Sequence, residues 1–444
     1  MSPDVRDIAQ RTKRASRAVA NLSSERRSDV IVTMARLLEA DTARIIAVNA
    51  EEVAEASTLV EQGGMTSSTL DRLRLNECKI AEMARSMRAV AALPDPLGRV
   101  LDRTELDDNL ILDKVTCPLG VLAVIFEARP DAVTQIGALA LKSGNAVVLK
   151  AGKEVERTAS LLVELIRRAL AESEVPEDAV SLVAGREAVQ ALLGLPDLIN
   201  LVIPRGSKQL VEFVQSATHI PVLGHAEGIC HVYVHSRANQ EMALAIVDDA
   251  KTDYPAACNA AETVLADASI AAKFLPGLAN RMRSRGVRLR GCEKTCAILG
   301  RDDVEPVRDS DWHREHGDLV LAIRVVENVD AAIEHIHRFG SAHTETIITD
   351  DNSIAERFLR EVDAAGVYHN ASTRFADGYR YGFGAEVGIS TNKLHARGPV
   401  GLEGLTTYKY LLRGQGQVVR DYRGANARSF KHARLPGLFT DSTR

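Results

Sequence analysis

One stretch carries the residue types for covalent chemistry: Lys251-Thr252-Asp253-Tyr254-Pro255-Ala256-Ala257-Cys258-Asn259-Ala260-Ala261-Glu262-Thr263. Cys258 sits among alanines, so no bulky neighbour in the chain blocks approach to its sulfur. Pro255 keeps Tyr254 out of helical conformation, and Val264-Leu265-Ala266 reads as a strand. A thiol on a small-residue loop that feeds a strand has the local setting of a nucleophile. Taken alone, the stretch also suits a buried cysteine acting as a small hydrophobe.

The elements that must position such a thiol follow from hydrophobic periodicity. Residues 2–92 read as helices: Ser23-Ser24-Glu25 opens one long segment with Val30, Met34, Leu37, Leu38, Ile45 and Ile46 at helical spacing. Ser68 and Asp71 form a capping box for the next. Leu93-Pro94-Asp95-Pro96 breaks the pattern. From Asn109 onward strands alternate with helices: Leu110 to Val115, Val121 to Phe126, Ala146 to Leu149, Val180 to Val183, Leu198 to Ile203 and Pro221 to Leu223. Such alternation is the pattern of a parallel sheet covered on both faces. A second alternating region runs from Val264 to Ile348, with a strand at Leu319 to Val326 and a helix at Val329 to Phe339.

Ligands bind such sheets beyond the carboxyl ends of the strands. Three of those ends carry glycine: Lys150-Ala151-Gly152-Lys153, Ala184-Gly185 and Pro204-Arg205-Gly206-Ser207. Gly206-Ser207 also opens a helix, whose N–H groups and dipole suit a phosphate. Together they read as a nucleotide crevice, although the G-x-G-x-x-G fingerprint is absent here and Gly382-Phe383-Gly384-Ala385-Glu386-Val387-Gly388 has the wrong spacing. His225, His231, His235 and Cys230 concentrate metal-ligand types without zinc spacing, so no metal is expected. Glycine, asparagine and arginine crowd from His369-Asn370-Ala371-Ser372-Thr373-Arg374 to His395-Ala396-Arg397-Gly398, as ligand-binding loops do.

Composition bounds the rest. With 444 residues, 45% hydrophobic, 26% charged and a net charge of −5, the chain reads as two to three ordinary globular domains. The dispersed charge does not favour nucleic acid. Six cysteines without paired CxxC spacing fit reduced thiols and a cytoplasmic setting. No apolar run is long enough to span a bilayer, and the N-terminus lacks a secretory h-region.

Several stretches resemble the γ-glutamyl phosphate reductases of the aldehyde dehydrogenase superfamily. These are Val115-Thr116-Cys117-Pro118-Leu119-Gly120-Val121 through Phe126-Glu127-Ala128-Arg129-Pro130, Ile203-Pro204-Arg205-Gly206-Ser207, Tyr254 to Ala260, and Glu386 to Gly404. One departure is Gly152-Lys153-Glu154, where members more often carry serine before the glutamate. The resemblance implies an aldehyde-dehydrogenase-like α/β fold with two parallel-sheet domains and a small β oligomerisation element. A cofactor domain would take residues 1–108 and 120–228, and a catalytic domain 229–368. Strands in 109–119 and 404–425 would join subunits, and 369–403 would return to the active site. The implied activity is NADPH-dependent reduction of L-glutamyl 5-phosphate to L-glutamate 5-semialdehyde through a Cys258 thioester.

The resemblance also implies site roles. Lys150 and Lys153 would lie by the adenosine ribose and its 2′-phosphate with Gly152 and Arg205, Gly206 and Ser207 by the pyrophosphate, Gly185 by the adenine, and Glu315 by the nicotinamide ribose. His225 falls where aldehyde oxidisers place their glutamate base, which would spare the thioester from water. Arg129, Arg374 and Arg397 would hold phosphate or carboxylate, with internal ion pairs as the competing role. Glu127 would meet the substrate ammonium, and Asn259, Asn370 and Ser372 would complete the substrate site. A homo-oligomer, dimer or tetramer, is implied. Because glutamyl phosphate cyclises readily, so is a glutamate 5-kinase that hands it over by proximity. The rivals are an aldehyde dehydrogenase that yields an acid, and a non-catalytic scaffold.

Overall fold

The computed structural model describes residues 4–224, 227–300, 303–394 and 396–436. The chain divides into two compact units: the first runs to Leu223 and regains Phe383–Gly388 and the chain from Val400, and the second holds Gly224–Gly382 and Ile389–Pro399.

The first unit begins with five helices, α1 (Val5–Ala20), α2 (Ser24–Ala40), α3 (Thr42–Glu61), α4 (Ser67–Leu73) and α5 (Glu77–Ala92). The long segment expected after Ser23 is two helices. The Thr42 hydroxyl donates back to the Glu39 carbonyl at 2.9 Å, a bond that competes with the helical ladder and bends the chain. Thr66 rather than Ser68 caps α4, taking the Thr69 N–H at 3.2 Å, and Asn76 starts α5 afresh. Next come β1 (Val100–Asp107), β2 (Leu110–Pro118), β3 (Val121–Phe126), α6 (Ala132–Lys142), β4 (Ala146–Ala151), α7 (Glu156–Glu172), β5 (Val180–Val183), α8 (Glu187–Leu193), β6 (Leu201–Arg205) and α9 (Lys208–Ala217). Every residue of β3 is buried, as a central parallel strand between helical layers demands. The parallel sheet runs β5-β4-β3-β6. Pro221–Leu223 adds only an isolated bridge from Val222 to Val202, because proline cannot donate to a ladder.

The second unit contains β7 (Cys230–Val234), α10 (Gln240–Thr252), β8 (Ala261–Asp267), α11 (Ala268–Ser284), β9 (Arg288–Gly291), α12 (Glu293–Leu299), β10 (Glu305–Pro306), β11 (Val320–Val326), α13 (Val329–Phe339), β12 (Thr344–Ile348), α14 (Asn352–Glu361) and β13 (Gly366–His369). Seven parallel strands run in the order β10-β9-β11-β8-β7-β12-β13. Val264 and Ala266 of β8, Phe274 and Leu278 of α11, and Ile323 of β11 form its core on one face. A two-stranded piece, β14 (Ile389–Ser390) with β15 (Gly398–Pro399), follows. The chain then rejoins the first unit through β16 (Thr406–Arg413) and β17 (Ala433–Arg434), closing an antiparallel sheet β16-β2-β1-β17. Among the described residues, no helix is long and apolar enough to cross a membrane.

Candidate active site

Cys258 lies in the loop between α10 and β8, half-buried. Two turns shape that loop: the Ala257 N–H donates to the Tyr254 carbonyl at 3.1 Å and the Ala260 N–H to the Ala257 carbonyl at 2.9 Å. Neither the Cys258 nor the Asn259 N–H has an acceptor among the described residues. They are therefore available to an oxyanion formed at the sulfur.

Contacts from several sides fix the loop. Behind it, Gly228 packs so closely that a Cβ there would stand 2.6 Å from the Cys258 carbonyl carbon and 2.7 Å from its Cα. Glu315 holds this glycine, its Oε2 accepting the Gly228 N–H at 2.9 Å. Below it, the Cys230 thiol donates to the Cys258 carbonyl at 3.4 Å. Burial pushes Cys230 well above the ordinary thiol range, so it stays protonated and donates rather than attacks.

The flanks are tied by Arg374. Its Nε donates to Asp253 Oδ2 at 3.1 Å, and its Nη1 donates to Asn259 Oδ1. Asn259 in turn donates to the Ala376 carbonyl at 2.9 Å. One buried guanidinium thus spans both sides of the nucleophile. Ser372 caps the turn that presents Arg374, accepting its N–H at 3.2 Å.

A second tie joins the helix before the loop to the strand after it. Lys251 Nζ lies 3.0 Å from Glu262 Oε2, with both side chains enclosed. Glu262 Oε1 accepts the Gly317 N–H at 3.2 Å. Burial raises the Glu262 carboxyl from 4.5 to about 7, outweighing the pull of Lys251.

Two other expected substrate residues have partners of their own. Asn370 is spent on the Thr349 backbone, accepting its N–H at 2.9 Å and donating to its carbonyl at 3.0 Å. Arg397 pairs with Asp363 at 2.8 Å. Lys393 and Arg397 together draw the Asp363 carboxyl down to about 2. His225 falls outside the described residues.

In the first unit the glycine-bearing strand ends align. Phe126 pairs with Ala151 and with Arg205, and Lys150 with Val183. Gly152, Gly185 and Gly206 therefore follow β4, β5 and β6 at the carboxyl end of the sheet. Each glycine has its own reason. A Cβ on Gly152 would overlap the Glu154 carboxylate, which accepts the Ala128 N–H at 2.6 Å. A Cβ on Gly206 would overlap Glu127, and Gly185, at φ +87°, faces open space. Glu127 accepts the Ser207 N–H at 2.8 Å, so this carboxylate sits at the start of α9. Ser207 caps α9, with a weak bond from the Leu210 N–H at 3.4 Å. Lys150 is half-buried and Lys153 exposed at the same edge. The stem of Arg205 runs past Gly388. Cations and close-approach glycines at parallel strand ends fit a nucleotide, while the start of α9 is occupied by the Glu127 carboxylate. Arg129 lies one residue beyond Ala128, which is left-handed at φ 50°, and lines a cavity against α4, α5 and α6.

Sequence reasoning missed Gly228 and Cys230 as supports of the nucleophile, because neither is near Cys258 in the chain. The Lys251–Glu262 pair brackets Cys258 within the very stretch first singled out, and that spacing was its signal. Among the described residues, no group of three or more His, Cys, Asp or Glu converges as metal ligands.

Parallel α/β units with a cysteine on a strand-feeding loop define an oxidoreductase of the aldehyde dehydrogenase type. The chain belongs to the aldehyde dehydrogenase family, whose model matches residues 2–290; its members use a nicotinamide cofactor. Within that family it falls among the γ-glutamyl phosphate reductases. It is similar to one from a Cyanothece species, 51% identical over 97% of this chain and 98% of the relative, and to one from Haloquadratum walsbyi, 50% identical over 94% and 92%. The crystal structure of such a reductase from Thermotoga maritima superposes with a TM-score of 0.89 at 40% identity, covering 94% of this chain and 99% of that one.

Proposed function

We propose that the chain reduces L-glutamyl 5-phosphate to L-glutamate 5-semialdehyde with release of phosphate, the second step of proline synthesis, using NADPH and a thioester on Cys258. The observation that carries this reading is the half-exposed Cys258, clamped on both flanks, with two neighbouring N–H groups that have no acceptor among the described residues.

In this reading the Cys258 thiolate forms a C–S bond to the acyl carbon while the carbon–oxygen bond to phosphate breaks. Phosphate leaves readily, so no strong acid is required. The Cys258 and Asn259 N–H groups receive the oxyanion; one such donor contributes about 3–4 kcal/mol in comparable sites. The nicotinamide, when bound, supplies hydride to the thioester carbon. Cys258 then departs as thiolate and frees the aldehyde. Glu315 braces Gly228, which gives it a role beside the nucleophile in addition to the ribose contact that the family resemblance implies.

Lys150 and Lys153, at the strand ends with Gly152, Gly185, Arg205, Gly206 and Ser207, favour NADPH over NADH by charge. Substrate recognition is assigned first to Arg129, which lines a cavity, with Asn259, Ser372 and Arg374 shaping the loop. Residues 1–108 and 120–228 serve the cofactor, and 229–368 the chemistry with the return loops 369–403. A homo-oligomer through strands in 109–119 and 404–425 is supported by β16, where Tyr408, Tyr410 and Leu412 are 48, 59 and 58% exposed. A cytoplasmic setting and a glutamate 5-kinase partner complete the proposal.

The test is the reverse reaction: reduction of NADP by glutamate 5-semialdehyde, assayed with and without inorganic phosphate. Phosphate-dependent turnover is expected. Turnover without phosphate would identify an acid-forming aldehyde dehydrogenase, and none at all a non-catalytic scaffold.

A further inference from the structure

Gly228 and Cys230, which both touch the Cys258 backbone, lie in the short segment that enters β7, inside the second unit. β7 runs between β8 and β12. Its ladder to β8 breaks at this point: Cys230 pairs with Ala261 and His231 with Thr263, which leaves Glu262 unopposed. A bulge of this kind interrupts backbone pairing. The position of the segment under Cys258 therefore depends on other bonds.

Side chains supply them in sequence. Glu315 accepts the Gly228 N–H at 2.9 Å, and the Ser341 hydroxyl oxygen accepts the Ile229 N–H at 2.8 Å. Glu345 Oε2 accepts the His231 N–H at 2.7 Å and lies 2.9 Å from His231 Nδ1. Ser341 and Glu345 belong to one stretch, the turn after α13 and the start of β12. Gly340 closes over the carboxyl: a Cβ there would stand 3.0 Å from Glu345 Oε1.

The arrangement is costly as packing. His231 and Glu345 are both fully enclosed. His231 Nε2 and Glu345 Oε1 have no hydrogen-bond partner among the described residues, and burial raises the Glu345 carboxyl above its ordinary range. Bare buried polar atoms are unfavourable, and apolar side chains would fill the same space without them. What the carboxyl does with its other oxygen is fix the residue that follows Cys230.

We propose that Glu345, with Ser341, is a positioning residue for the covalent step: acting through His231, it keeps the Cys230 thiol under the Cys258 carbonyl. The proposal rests on the thioester reading above and adds two residues to it.

The test is the pre-steady-state formation of NADPH from NADP and glutamate 5-semialdehyde without phosphate, in wild type, Glu345→Leu, Glu345→Gln and Ser341→Ala. Its rate constant reports the geometry at Cys258, and its amplitude the fraction of competent chains. Glu345→Leu should lower the rate constant at least about tenfold, with an amplitude near that of wild type. In steady state its kcat should fall in step while KM for semialdehyde, phosphate and NADP stays within about twofold. Glu345→Gln, which keeps an acceptor for the His231 N–H, should recover most of the rate. Ser341→Ala removes one bond and little volume, so it carries the same test should the leucine variant not fold; its rate constant should fall at least about threefold. An unchanged rate constant in the leucine and alanine variants overturns the proposal. So does a loss of amplitude alone, which would make the residues merely structural, or a selective rise in one KM. A glutamine variant as slow as leucine overturns it too, because charge rather than the acceptor would then be at work. Absence of the burst in wild type would instead defeat the thioester reading.

Discussion

Gly228 and Cys258, thirty positions apart in the chain, touch backbone to backbone: a Cβ on the glycine would lie 2.7 Å from the Cys258 Cα. The nucleophile's loop is therefore seated on a residue with no room for a side chain. Gly228→Ala should push the loop outward and lower kcat by about a hundredfold, the scale of a 1 Å misplacement in a reacting group. Thermal unfolding should change much less. A variant with near-normal kcat would contradict the seat.

Arg374 should behave as a clamp rather than a ligand. Its guanidinium spans Asp253 and Asn259, on either side of Cys258. Lysine keeps the charge but loses the fork. Arg374→Lys is expected to lower kcat at least about tenfold while KM for phosphate and semialdehyde stays near wild type. A selective rise in either KM would return Arg374 to direct binding.

The buried Lys251–Glu262 pair predicts a pH signature. Glu262 titrates at about 7 in the fold against an ordinary 4.5. Between those values the folded chain holds a proton that the unfolded chain has released. The contribution of Glu262 is then whole below the lower value and is lost as pH rises through the upper one. The urea midpoint of wild type minus that of Glu262→Gln should shrink between about pH 5 and about pH 8. A difference that grows with pH would contradict this. Lys251→Met, which strands the carboxyl, should cost about 3–5 kcal/mol in the same assay at the higher pH.

Cofactor preference should follow the cations at the strand ends. Lys150→Ala should lower kcat/KM for NADPH by about tenfold and leave NADH near wild type, with a smaller effect from the more exposed Lys153→Ala. An unchanged NADPH/NADH ratio in both would remove these lysines from the 2′-phosphate.

Much of this fold was legible because parallel strands buried on both faces are uninterrupted apolar runs: β3 and β11 were read almost to the residue. β1 was not. Its sequence Val100-Leu101-Asp102-Arg103-Thr104-Glu105-Leu106-Asp107 lies in a partly exposed antiparallel sheet and shows no clean alternation. Cys258 and the aligned glycines were visible as local spacing. The partners of charged groups were not, because tertiary structure chose them: Arg374 meets an aspartate 121 positions away, and Arg397 one 34 away. Glu127, expected at a substrate ammonium, accepts the Ser207 N–H at the start of a helix, where a carboxylate is favoured by the dipole.

The covalent step is tested most directly by a single-turnover experiment in the reverse direction. Enzyme is mixed rapidly with NADP and glutamate 5-semialdehyde, without phosphate, and NADPH is followed by absorbance. The account predicts a burst of about one NADPH per chain as a thioester accumulates on Cys258, steady turnover only after phosphate is added, and no burst from Cys258→Ser. A missing burst in wild type, or a burst that survives the serine substitution, would contradict it.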